Sequence, residues 1–173
     1  MYSKLALRDA VLITISGMAW WWLAGTSALG AGGSMLGDLT GLVVGLMVGA
    51  CIYLLHEWGH ALGGFATGAT LHPPASLKAI SLFSFDSKRN TKRQFTVMSL
   101  SGFVVTALGV AFAYGVLPDG QLATHVARGV SMLLAALTLF LEIPILIIGL
   151  VRSELPPVET FEPVDLSGSQ TAG

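Results

Sequence analysis

The sequence predicts an all-α, polytopic membrane protein with four transmembrane helices. Hydrophobic residues make up 53% of the 173 residues and charged residues only 11%, whereas a soluble domain usually carries about 25% charged residues. Four apolar stretches are each long enough to cross the hydrocarbon core of a bilayer, which takes about 20 residues. The single cysteine excludes an internal disulfide and a cysteine-based zinc cage.

The four predicted spans run from Ala10 to Gly30, from Leu39 to Thr67, from Phe95 to Leu117 and from Val126 to Leu150. The first span follows basic residues as a signal peptide would, but its apolar core exceeds the usual ~7–15 residues, so we expect it to be retained. Residues 1–152 then form one four-helix transmembrane domain. Residues 153–173 are rich in proline and acidic side chains and are expected to form a disordered cytoplasmic tail.

The distribution of basic residues predicts the orientation of the chain. All of the nine Lys and Arg residues except Arg128 fall on the N-terminal segment, the loop between spans two and three, or the start of the tail. The positive-inside rule therefore places both termini in the cytoplasm. We expect a multi-pass protein of the inner, cytoplasmic membrane of a bacterium, in contact with the lipid bilayer. A net charge of −1 provides no basic footprint for nucleic acid.

The loop between the second and third spans is predicted to contain a small β-hairpin near the cytoplasmic face. Pro73 and Pro74 exclude a regular helix there. The stretch from Ala79 to Phe85 alternates in part between apolar and polar residues, as a short strand does.

Small residues recur along one face of the second span. The glycines lie four residues apart in two groups: Gly41, Gly45, Gly49, and then Gly59, Gly63. Such faces allow helix backbones to approach closely in lipid. Packing inside this bundle is favoured over a dimer interface.

The second span also carries the motif His56-Glu57-Trp58-Gly59-His60, which matches H-E-x-x-H. On a helix, His56 and His60 are one turn apart, offset by about 40°, so both imidazoles can bind one metal ion. Glu57 is placed to take a proton from the attacking water. The alternative is a hydrogen-bonded polar cluster that joins helices. Three ionisable groups within a membrane span favour the metal site, because such groups are costly there without a role.

Catalytic zinc usually has three protein ligands, so a third residue is needed. The candidates are His72, Asp86, Asp119, His125 and Glu142. Glu142 is favoured because it lies inside the fourth span, at nearly the same predicted depth as His60. Pro144 should loosen the helix there by freeing a backbone carbonyl. The alternatives for Glu142 are a neutral carboxyl or a member of a polar network.

The motif and its setting resemble the site-2 protease family of intramembrane zinc metalloproteases. The strongest match is His56 to His60 followed by Ala61-Leu62-Gly63, and a weaker one is Ser101-Gly102-Phe103 early in the third span. The resemblance covers roughly residues 39–150 and leaves the first span as an additional helix.

The resemblance implies hydrolysis of a peptide bond in or near a transmembrane segment, with Zn²⁺ held by His56 and His60 and with Glu57 as catalytic base. The family's third ligand is an Asp in an Asp-Gly step, which is absent here. Glu142 replaces that Asp from another register or occupies the position of a neighbouring Asn. A second hypothesis follows from this departure: a catalytically silent relative that serves as a subunit of a larger membrane complex. The expected partners are a transmembrane substrate or other membrane subunits.

Overall fold

The computed structural model describes residues 1–30 and 33–157. It is mostly helical, and its helices are α1 (Tyr2–Leu23), α2 (Met35–Ala66), α3 (Lys92–Gly115), α4 (Leu122–Leu137) and α5 (Ile143–Val151). A 3₁₀ turn, Ser27–Leu29, precedes α2, and a π-helical turn, Thr138–Glu142, joins α4 to α5. Two short strands, β1 (Leu71–His72) and β2 (Ser84–Phe85), lie between α2 and α3.

Within the described residues, three helical segments are long and apolar enough to cross a membrane. They are α2, α3 and the continuous stretch Leu122–Val151, which correspond to the second, third and fourth predicted spans. The first predicted span, Ala10–Gly30, is not confirmed by length and composition. Its helix begins earlier, at Tyr2, ends at Leu23 and therefore includes Lys4, Arg8 and Asp9, which lower its apolarity.

Local hydrogen bonds define the ends of the two helices that carry most of the site. Ser34 caps α2 by accepting the N–H of Gly37. Thr91 and Gln94 form a reciprocal capping box at the start of α3. Helix α2 ends at Ala66. Two residues later, Gly68 has a φ of +68°, which favours glycine, and the N–H of Ala69 returns to the carbonyl of Gly64.

Helix α2 is the central element, and its glycines pack inside the bundle. A Cβ added at Gly49 would overlap Val130 of α4, whereas one at Gly63 would overlap Ser101 of α3. The first glycine group therefore faces α4 and the preceding 3₁₀ turn, and the second faces α3. Close backbone approach at the second group brings α3 against the H-E-x-x-H motif.

The helix that contains Glu142 is not a regular α-helix. In the π-helical turn, the N–H of Ile143 donates to the carbonyl of Thr138, five residues earlier. Pro144 explains this irregularity, because a proline ring clashes with the carbonyl four residues before it in a regular helix. The wider turn removes that clash and changes the direction of the Glu142 side chain.

The small hairpin is present, but it occupies less of the loop than the sequence pattern suggests. Strands β1 and β2 pair antiparallel, with Leu71 opposite Phe85 and His72 opposite Ser84. The residues before Ser84 do not continue the ladder, because their backbone groups bond to side chains from the helices. The carbonyls of Leu77 and Ala79 accept from α1, and the N–H of Leu82 donates to α2.

The core on the hairpin side of the bundle joins α1, the loop and three other helices. Its buried members are Leu5, Ala61, Leu82, Phe83, Phe85, Phe95, Met98 and Leu146. Of the predicted disordered tail, residues 158–173 lie outside the described part of the chain. In the described residues 153–157, Leu155 packs against this core and the carbonyl of Pro156 accepts from Ser87.

Candidate metal centre

Two imidazoles and one carboxylate converge in the interior of the bundle. The Nε2 atoms of His56 and His60 are 3.1 Å apart. Glu142 turns one oxygen toward each ring, with Oε1 at 3.2 Å from His56 Nε2 and Oε2 at 3.6 Å from His60 Nε2. The structure thus brings together the three predicted ligands, which form a group that could hold a metal ion.

The spacing of these donors fits a tetrahedral metal. Ligands bound at about 2.0–2.1 Å to a tetrahedral zinc ion stand roughly 3.4 Å from one another. The two Nε2 atoms, 3.1 Å apart, lie close to that value, while Glu142 approaches His56 at 3.2 Å through Oε1 and His60 at 3.6 Å through Oε2. One ligand atom from each of the three residues can be chosen so that all lie within 4.8 Å of one another. Two His and one carboxylate are also a donor set that catalytic zinc uses.

Hydrogen bonds at the other ring nitrogens determine which imidazole atoms are free. His56 Nδ1 is 2.7 Å from Thr106 Oγ1, and the Thr106 hydroxyl donates to the carbonyl of Gly102. The Thr106 oxygen therefore accepts from His56 Nδ1–H. His60 Nδ1 is 2.9 Å from the carbonyl of Met98, which can only accept. Both Nδ1 atoms carry the proton, and both Nε2 lone pairs point at the centre.

The centre consequently needs a positive charge. Two Nε2 lone pairs and an ionised carboxylate would repel one another at these distances. Glu142 Oε2 is moreover buried without a hydrogen-bond partner, and buried polar atoms rarely lack one. A bound metal ion would supply that partner and would neutralise the repulsion; a shared proton is the alternative.

Helix α3 is shaped to accommodate the ring of His60. A Cβ at Gly102 would overlap the His60 imidazole, so α3 has a glycine at the point of contact. The same residue contributes its carbonyl to the hydrogen bond with Thr106. One short stretch of α3 therefore provides both space and orientation for the two histidines.

Glu57 lies beside the three donors rather than among them. Its Oε2 accepts from the backbone N–H of Leu82 at 3.2 Å, and its charge acts on His60. Tyr53, one turn earlier on α2, is within electrostatic reach of Glu57 and Glu142. A carboxylate has about four acceptor positions, so one backbone bond leaves room for a water molecule.

The other candidate ligands lie elsewhere. His72 Nε2 is 3.1 Å from Asp86 Oδ2 in the hairpin, and Asp119 pairs with Arg128 at 2.7 Å. His125 is exposed on α4. His72, Asp86 and Asp119, which the sequence offered as possible third ligands, therefore have partners away from the three donors.

Sequence reasoning missed three residues that support the site. Thr106 gives no signal beyond a polar residue one turn after Gly102 in an apolar span. Arg8 was counted only as a basic residue for orientation and Asp9 was not considered, but both contact the site region. No protein-family model, no curated protein and no solved structure matches this chain.

Proposed function

We propose that the chain is an intramembrane zinc metalloprotease that hydrolyses a peptide bond in or near a transmembrane segment of a protein substrate. The observation that carries the proposal is the convergence of His56, His60 and Glu142 at metal-ligand spacing beside Glu57. The site lies on helices of membrane-spanning length, and ionisable groups at such depth are costly unless they have a role.

The proposal includes four spans, with α1 as the first. Helix α1 runs antiparallel to α2 along its whole length, as three contacts show: Tyr2 packs edge-to-face against Phe65, Asp9 bonds to Trp58 and Leu23 packs near Val44. Its 22 residues extend about 33 Å at 1.5 Å per residue, enough for a bilayer core. With four spans, the basic residues place both termini in the cytoplasm of a bacterial cell.

The residues have separate roles in the proposed reaction. His56, His60 and Glu142 would hold the zinc ion, while Thr106 and the Met98 carbonyl keep the two rings in the tautomer that leaves Nε2 free. A bound zinc ion would supply Lewis acidity for the attack of water at neutral pH. Glu57 takes the proton of the attacking water and passes it to the amine that leaves.

The surroundings of Glu142 favour a substrate that arrives from within the membrane. Its side chain is 32% exposed, and its neighbours Leu139, Phe140 and Leu141 are exposed apolar residues. An exposed apolar surface beside a polar site suits a transmembrane segment better than a soluble peptide. A helical substrate must unwind locally, because its carbonyls are otherwise hydrogen-bonded.

Zinc stoichiometry in the purified protein tests the site. We expect one zinc ion per chain in the wild type, loss of zinc in His56→Ala and Glu142→Ala, and retention in the exposed control His125→Ala. Retention of zinc in Glu142→Ala would remove Glu142 from the ligand set.

Cleavage of membrane-embedded substrates then tests the activity. We expect hydrolysis by the wild type and its loss in Glu57→Gln, with zinc content unchanged. A wild type that binds zinc but cleaves nothing in a broad substrate panel would refute the protease proposal and favour a silent subunit of a membrane complex.

A further inference from the structure

A buried acid connects α1 to the residue next to Glu57. The Asp9 side chain is almost fully buried, with a relative exposure of 1% for the residue. One oxygen accepts from Arg8 Nε at 2.7 Å, and the other accepts from the indole N–H of Trp58 at 2.9 Å. A buried carboxylate is tolerated only when it is paired, and this one is paired on both oxygens.

Arg8 extends the contact from α1 to the loop. Its guanidinium also donates to the carbonyls of Leu77 and Ala79. A few residues later, the N–H of Leu82 donates to Glu57. The 77–82 segment is therefore held between Arg8 on one side and Glu57 on the other.

These contacts form a closed circuit. It starts at Trp58, passes through Asp9 and Arg8 into the 77–82 segment, and returns to α2 at Glu57, the neighbour of Trp58. Apolar packing supports the same arrangement, because Leu82 and Leu5 of α1 belong to one buried cluster. The circuit involves charged donors and acceptors, whose hydrogen bonds are stronger than neutral ones.

We infer that Arg8 and Asp9 are positioning residues. Their contacts form a latch that holds the 77–82 segment against Glu57 and so fixes the orientation of the Glu57 carboxylate. Arg8 and Asp9 act through the segment and do not touch the metal donors. The effect of the latch on catalysis rests on the proposed function. The contacts that form the latch can be tested separately.

Amide hydrogen exchange in the membrane-reconstituted protein tests the latch directly. Arg8→Ala removes the donors to Leu77 and Ala79, and Lys4→Ala is the matched control, because it removes an exposed positive charge one turn away. We expect amides 77–83 to exchange about tenfold faster or more in Arg8→Ala, since hydrogen bonds to charged groups are lost. Lys4→Ala should exchange as the wild type does.

Equal exchange in Arg8→Ala and Lys4→Ala would overturn the latch. If Arg8→Ala does not fold, Asp9→Asn answers the same question, because it keeps an oxygen for Trp58 and removes the charge that faces Arg8. Unchanged exchange of residues 77–83 in Asp9→Asn would then overturn the inference.

The positioning role has its own readout. With zinc content unchanged, Arg8→Ala should lower kcat roughly 10- to 100-fold with little change in KM, because a misplaced base slows the chemical step. Arg8→Lys, which keeps the charge but not the forked geometry, should restore part of the loss. Faster amide exchange in Arg8→Ala together with a wild-type kcat would refute the positioning role. A wild type without peptidase activity would count against the proposed function, and exchange alone would then decide the latch.

Discussion

Replacing Thr106 with valine should weaken metal binding without altering the shape of the helix. The two side chains have nearly the same size, so the change removes one hydroxyl from a buried contact with His56 at 2.7 Å. Loss of a group that orients a metal-bound His typically lowers metal affinity 10- to 100-fold, or about 1.4–2.7 kcal/mol. We expect a loss near tenfold, because His56 Nδ1 is also 3.3 Å from the carbonyl of Gly102, which retains a weaker bond.

The assay is competition for zinc between the purified protein and a chelator of known affinity. Thr96→Val is the matched control, because the Thr96 hydroxyl likewise donates to the carbonyl four residues earlier, but Thr96 is not bonded to an imidazole. Equal zinc affinity in Thr106→Val and Thr96→Val would refute the reasoning that Thr106 fixes the ligating tautomer of His56.

Three further perturbations probe other parts of the molecule. Gly102→Ala should displace the His60 ring, because the new Cβ would overlap it. We expect thermal unfolding to show about 1–3 kcal/mol of lost stability, and zinc titration to show weaker binding. Glu57→Gln should lower peptidase activity at least about 100-fold while zinc stoichiometry stays the same; simultaneous loss of zinc would show that Glu57 is a ligand. The hydrogen bond from His72, helped by backbone N–H groups and a nearby arginine, lowers the pKa of Asp86 below its ordinary 3.8. Stability from this contact is therefore fully present above pH 3.8 and is lost as the pH falls through the lowered pKa, so the difference in melting temperature between wild type and Asp86→Asn should shrink progressively below pH 3.8; a difference that stays constant as the pH falls below 3.8 would contradict this assignment.

The convergence of the three candidate ligands could be predicted from the sequence, because helix geometry alone brings two of them together. His56 and His60 are one turn apart on a helix whose apolar length identifies it, so their convergence needs no knowledge of the fold. Glu142 required one further step, a comparison of depths in two parallel spans. That comparison works in a membrane because the bilayer fixes where each helix begins and ends.

The supporting contacts could not be predicted in the same way. Thr106 meets His56 only because the glycine group at Gly59 and Gly63 lets α3 approach α2 closely. The path from Asp9 to Trp58 depends on the relative rotation of α1 and α2. Neither relation has a periodic signature, since each joins residues that are distant in sequence.

The first span shows how local composition misleads. The apolar pattern suggested a helix from Ala10 to Gly30, whereas α1 occupies Tyr2–Leu23. Lys4, Arg8 and Asp9 precede the predicted span. In the structure, Arg8 and Asp9 are inside the helix, because their charges are paired with each other and with groups on the loop and α2.

The π-helical turn makes the direction of the Glu142 side chain depend on how both α4 and α5 are packed. Each residue turns a helix by roughly 100°. One additional residue between α4 and α5 therefore sets the angle by which the side chains of α5 are rotated relative to those of α4. Packing on Gly45 and Gly49 of α2 fixes the phase of α4 through Val126 and Val130. Packing against Phe95 fixes α5 through Leu146 and Gly149. Glu142 lies in the π-helical turn between α4 and α5. Deleting a single residue from 138–141 would force one half out of its packing or turn the Glu142 carboxylate away from the histidines, although all three donor residues would still be present in the sequence.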